Sequence, residues 1–208
     1  MLGFNTPIPA IQQQIIDAAI RCIKRWGIER ITMNDVAYEA RLARSTVYSY
    51  YKSRDDVIKS ALILSAYSFG EKIFEQINRY ETAEERLIES VIYTLSAIPD
   101  EPFLAIISEN ALTDMVREET LTNPEGVDMG TVLFDTIFQD ERYSLDELKE
   151  ISEFSIRFLL SLLLVESPQE RSEEDLRGFI ARRLLPAVGL EVPSQYDLFR
   201  KYQSTPSH

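Results

Sequence analysis

Apolar residues in the first quarter of the chain recur at helical spacing. Ile11, Ile15, Ala18 or Ala19, Cys22 and Trp26 lie three or four apart, which marks one face of a helix that stops near Gly27 and predicts core places for Cys22 and Trp26. Thr32 then precedes a short run, residues 33–40, where its hydroxyl can accept from a first-turn N–H and Asp35 suits the positive helix end. Arg41, Leu42 and Ala43 separate this run from another, residues 44–51. Val36, Ala37, Ala40, Leu42, Val47 and Tyr51 provide the apolar contacts such a close pair requires. Arg44, Ser45, Tyr48 and Ser49 are left facing outward.

From Ser53 onward the period stays helical. Val57, Ile58, Ala61, Leu62, Leu64, Ser65, Phe69, Ile73, Phe74 and Ile77 continue one helix to about Asn78, and Ser53 with Asp56 three residues on is close to a capping box. Further helices are predicted near 82–97, 102–119, 127–139, 145–166 and 173–186. Pro99 and Pro102, the turn-like Asn123-Pro124-Glu125-Gly126, Pro168 and Pro186 punctuate them. No alternating strand pattern of useful length and no internal repeat occurs. The expected fold is all-α: a three-helix head over 1–55, a larger helical body over 56–192, and a polar tail over 193–208.

Within 145–166, Leu148, Ile151, Phe154, Phe158, Leu162 and Val165 form a stripe. Ile156, Leu159, Leu160, Leu163 and Leu164 make the second half apolar almost all round, so it must be covered on several sides. The next helix, capped by Ser172, offers Leu176, Phe179, Ile180 and Leu184. Two helices from each of two chains would form a four-helix interface through Phe158, Leu159, Leu162, Val165, Leu176, Phe179, Ile180 and Leu184; the alternative is a monomer core.

Composition adds limits. With 208 residues, 45% of them hydrophobic, the chain can bury a sizeable core. The net charge of −12 is uneven: residues 1–55 carry eight cationic and five acidic side chains, the remainder fourteen and 29. A mildly basic head on an acidic body allows a polyanion to be held at one end. Cys22 is the only cysteine, which excludes an internal disulfide or a cysteine-based zinc site and suits a reducing compartment. The apolar run 158–165 is far shorter than the roughly 20 residues a membrane span needs, and the start lacks signal-peptide character. A cytoplasmic protein without membrane contact is expected. So is the absence of catalysis, cofactor or metal: His208 is the only histidine, no nucleophile motif or glycine-rich phosphate loop is present, and the acidic runs 81–85 and 170–175 read as solvated helix ends.

Two short helices joined by three residues form a helix-turn-helix, whose second member lies in the DNA major groove. Residues 15–62 further resemble the TetR family of bacterial transcriptional regulators. The match is densest over 32–57, where Thr32, Ala37, Thr46, Val47, Tyr48, Tyr50, Tyr51, Lys52, Arg54 and Val57 fit the family pattern in turn. Two positions depart from it. Arg41 stands where Gly is usual, which costs about 1 kcal/mol if the residue takes a positive φ, and Ala43 replaces the usual capping Ser.

The resemblance implies roles for the outward residues. Arg44, Ser45, Ser49 and Asn34 are the expected base contacts, Arg44 through the fork that fits guanine O6 and N7. Thr32, Thr46, Tyr48, Tyr50, Lys52 and Arg54 are the expected phosphate contacts, Arg54 because it sits beside a helix N-terminus. The resemblance also implies a homodimeric repressor on a palindromic operator, and a body that encloses a small-molecule pocket. Phe69, Phe74, Phe103, Met115, Met129, Phe134, Phe138 and Phe154 are its candidate lining and suit an apolar or aromatic effector. The competing reading is a helical ligand-binding or protein-interaction module with a vestigial DNA-binding head.

Overall fold

The computed structural model describes residues 8–97, 100–101, 124–139, 143–165 and 170–197, without the side chains of 124–129 and 164. The predicted helix 102–119 with Phe103 and Met115, the Met129 side chain, and the tail from 198 to His208 lie outside the described residues. Eight α-helices carry the described chain: α1 (Ala10–Trp26), α2 (Met33–Glu39), α3 (Arg44–Tyr50), α4 (Arg54–Ile77), α5 (Ala83–Ala97), α6 (Pro124–Ile137), α7 (Leu145–Leu164) and α8 (Glu173–Arg183). A single 3-10 turn, Pro186–Val188, follows. Residues divide between two compact units, one within Met1–Lys72 and Ala97–Glu119, the other within Ile73–Ser96 and Thr120–His208.

In the first unit α1 packs on α2 and α2 on α3. The buried face of α1 is Ile15, Ala18, Ala19, Cys22 and Ile23, as the spacing predicts at its centre but not at its ends. Trp26, expected in the core, is 39% exposed. It is the last helical residue before Gly27 turns the chain at φ 77°, and the Arg25 guanidinium lies 5.4 Å from its ring centre. The α2 N-terminus is closed by a full capping box between Thr32 and Asp35. Its C-terminus is a Schellman motif: Leu42 N–H donates to Ala37 O and Arg41 N–H to Tyr38 O, each at 3.0 Å. Arg41 thereby takes φ 54°, the one positive value at a non-glycine residue among those described.

In the second unit Arg86 of α5 is buried and ties three segments together. Its Nε donates to Ile137 O at 2.8 Å, and one terminal nitrogen to Glu81 O at 2.9 Å and Tyr80 O at 3.4 Å. The stretch read as a turn at 123–126 instead starts α6, with Pro124 as its first residue, a position where a missing N–H is harmless. Helix α6 packs on α7, and Gly130 permits the approach, because a Cβ there would lie 2.6 Å from Ser152 Oγ. The inner face of α7 is therefore Leu148, Ile151, Ser152 and Ser155, a run of i, i+3, i+4 and i+7. Phe154 falls off that face.

Candidate nucleic-acid interface

The second helix of the motif is α3, whose sides differ. Val47 is fully buried and Tyr51, just past its end, nearly so; the Tyr51 hydroxyl accepts from Gln12 Nε2 of α1 at 3.2 Å. Gln14 Nε2 donates to Ala40 O at 2.7 Å, so α1 braces the turn of the two-helix motif and its C-terminal end. Arg44, Ser45, Tyr48, Ser49 and Tyr50 are exposed on the other side, as is Lys52 beyond the helix, and Thr46 is half-buried. Asn34 is exposed on α2. These exposed groups include guanidinium, ammonium, hydroxyl and amide, the donor set that binds phosphates and base edges.

Local bonds define what each group can still do. Ala43 caps α3 with no side-chain hydrogen bond, which follows from the absent hydroxyl. Ser49 Oγ donates to Thr46 O at 2.6 Å. Thr32 Oγ1 donates to Asp35 Oδ2 at 2.6 Å and accepts from Asp35 N–H at 3.2 Å, so its hydroxyl serves the cap. Arg54, expected to bind phosphate, has another occupation. Its Nε donates to Ile31 O at 2.9 Å, a terminal nitrogen donates to Ile28 O, and the other meets Asp55 at 3.2 Å. The side chain clamps the loop between α1 and α2 onto the start of α4, where Ser53 and Asp56 form reciprocal capping bonds.

Electrostatics beside the motif centre on Glu39. Its carboxylate meets Arg21 at 2.7 Å and Arg25 at 3.8 Å, and the Arg21 bond holds it below the usual carboxylate range. Tyr38, which is not among the expected contacts, is 85% exposed. Its spacing of four from Asn34 is the signal that puts both on one face of α2.

The candidate effector residues do not share one environment. Phe69 is buried in the first unit. In the second, Phe134 and Phe138 are buried with ring centres 6.2 Å apart, Phe138 meets Tyr143 edge-on at 4.9 Å, and Phe74 is half-buried. Phe154 is 44% exposed, and this chain alone does not enclose it. Among the candidate dimer residues, Ile180 and Leu184 are fully buried in the chain's own core and cannot face a partner. Phe158, Leu159, Leu162, Leu176 and Phe179 are half-buried and Val165 exposed; Phe158 stacks on Phe179 at 6.0 Å, joining α7 to α8. Among the described residues no helix is long and apolar enough to cross a membrane, and no group of three His, Cys, Asp or Glu side chains is placed to hold a metal.

Residues 15–61, from α1 into α4, match the bacterial regulatory proteins of the tetR family. A fatty acid metabolism regulator protein of Bacillus subtilis is 30% identical over 96 residues, 46% of this chain; the match takes in half of that relative's length. An HTH-type transcriptional regulator of Mycobacterium tuberculosis is 25% identical over 175 residues, 84% of each chain. The crystal structure of the TetR family repressor AlkX from a Dietzia strain superposes with a TM-score of 0.63 at 19% identity, covering 88% of this chain and 97% of that one, and so shares the fold. With the helix-turn-helix, its inward Val47 and Tyr51 and its exposed polar residues, the segment 15–61 is a DNA-binding region of the kind found in the bacterial regulatory proteins of the tetR family.

Proposed function

We propose that the chain acts as a homodimeric repressor, binds a palindromic DNA operator through α3, and is released by a small apolar or aromatic ligand held in the helical body. The observation that carries this reading is the split surface of α3, with Val47 fully buried and Arg44, Ser45, Tyr48 and Ser49 projecting. Arg44 stands at the leading end, where its planar fork reads guanine. Ser45 and Ser49 are small enough to bring the backbone close to base edges, and Asn34 reaches from α2. Thr46, Tyr48, Tyr50 and Lys52 hold phosphates and set the register.

The half-buried apolar residues of α7 and α8 support the dimer, which two operator half-sites require. Buried phenylalanines support an apolar ligand, and the Bacillus subtilis relative is by its name a regulator of fatty acid metabolism. An acyl-type compound is therefore the first effector to try.

The test compares Arg44→Ala with Lys52→Ala on a duplex that the wild-type protein enriches from a randomised pool. Arg44→Ala should weaken specific binding by about 1–3 kcal/mol and relax base preference at one symmetric position per half-site. Lys52→Ala should weaken specific and random duplexes alike and reduce the salt slope by about 1. An equal loss on both duplexes for Arg44→Ala would remove it as a base reader.

A further inference from the structure

Asn34, Tyr38 and Arg41 follow one another at intervals of four and three along α2 and its C-terminal cap, and all three are exposed. Each of the last two is unusual. Tyr38 keeps its ring and hydroxyl almost wholly in water at 85% exposure, although the ring gains nothing there by burial. Arg41 holds the left-handed cap position at φ 54°, where glycine would carry no strain. Strain retained at a long cationic side chain is the kind of outlier from which a functional role is inferred.

Arg41 helps hold the Glu39 carboxylate charged, but the hydrogen bond to that carboxylate is Arg21's. Glu39 is engaged by Arg21 and Arg25. A cleft of about 550 Å³ lies beside the turn, lined by Gln14, Arg21, Tyr38, Glu39, Ala40 and Arg41. It has an aromatic hydroxyl and a guanidinium at positions three apart in sequence, and its one carboxylate is already neutralised.

We propose that Tyr38 and Arg41 extend the DNA-contacting surface along α2 and together hold a phosphate of the operator backbone outside the groove that α3 enters. The assignment rests on the DNA-binding reading above. Two parallel N–H groups of the guanidinium fit two phosphate oxygens, and the phenol donates a further bond. Neither group reads a base, so the pair adds affinity and register without sequence preference.

Arg41→Gly and Tyr38→Phe separate this from a structural accident. Binding is measured by fluorescence anisotropy on the duplex enriched by the wild-type protein, over a range of salt, with thermal unfolding alongside. Arg41→Gly should unfold at a higher temperature because the cap strain is gone. At the same time it should bind about 3- to 10-fold more weakly with a salt slope reduced by about 1. Tyr38→Phe should bind roughly 2- to 5-fold more weakly with the slope unchanged, since a neutral donor releases no counterion. An Arg41→Gly protein with wild-type affinity and slope overturns the proposal, and a Tyr38→Phe protein equal to wild type removes the tyrosine from the pair. If the wild-type protein enriches no duplex at all, the DNA-binding reading fails first and takes this one with it.

Discussion

Burial and two nearby carboxylates act on Cys22 in the same direction. The side chain is 1% exposed, and desolvation first, then Glu39 and Asp35, push the thiol up to about 11 from an ordinary 9.0. The thiolate is the reactive form, so the folded protein at pH 8 should resist alkylation, and the thiol should become reactive only as denaturant opens the head. Rapid native labelling would show that α1 opens locally. The sign of the pH effect follows from the raised value: the folded state holds this proton more tightly than the unfolded one. Its contribution is complete below about pH 9 and is lost as pH rises through about 11. Cys22 was legible as core from spacing alone, whereas Trp26, four residues further on the same stripe, was not. Periodicity defines a face but not how far a neighbouring element covers it, and α1 stops at Gly27.

At the scale of elements, most helix ends could be read from chemistry that acts locally. Thr32 with Asp35, Ser144 with Glu147 and Ser172 with Asp175 form the caps that start α2, α7 and α8. Their partners are three residues away and visible in the sequence. Arg54 was not legible in that way, because its acceptors are carbonyl oxygens 23 and 26 positions earlier, and every residue type carries a carbonyl. Its role as a clamp makes a prediction distinct from that of a phosphate contact. Arg54→Ala should destabilise the protein by roughly 1.5–3 kcal/mol, the range for hydrogen bonds to a charged donor, seen as a lower urea midpoint. Arg54→Lys should recover only part of this, since one ammonium lacks the fork that spans two carbonyls. If Arg54→Ala keeps the wild-type midpoint and instead lowers the salt slope of DNA binding by about 1, the side chain serves phosphate after all.

For the whole molecule, the question is what covers α7 and α8. Ile156, Phe158, Leu159, Leu160, Leu162 and Leu163 stay partly exposed, with Phe154 and Val165 more so. Contiguous apolar surface of this kind marks an interaction site. The sequence announced such a surface through a helix half that is apolar all round, yet it also assigned Ile180 and Leu184 to it. Those two lie i+4 apart on α8 and face the chain's own core, while Phe179 turns toward Phe158. One residue of helical rotation, invisible to composition, separates the inner set from the outer. This division can be tested in solution. In the proposed dimer, Leu162→Glu would place a carboxylate at an apolar contact that two-fold symmetry repeats on the partner, and dimer dissociation should increase at least about 100-fold. Sedimentation equilibrium would read the shift, with circular dichroism confirming a folded helical chain. The same variant should bind a full palindrome no better than a single half-site, because two recognition helices about 34–36 Å apart need both chains. Ile180→Val should do the opposite, lowering stability by about 0.5–1.5 kcal/mol while the dimer persists. A Leu162→Glu protein that remains dimeric would place the interface on another face, and the exposed row of α7 would then need a different partner.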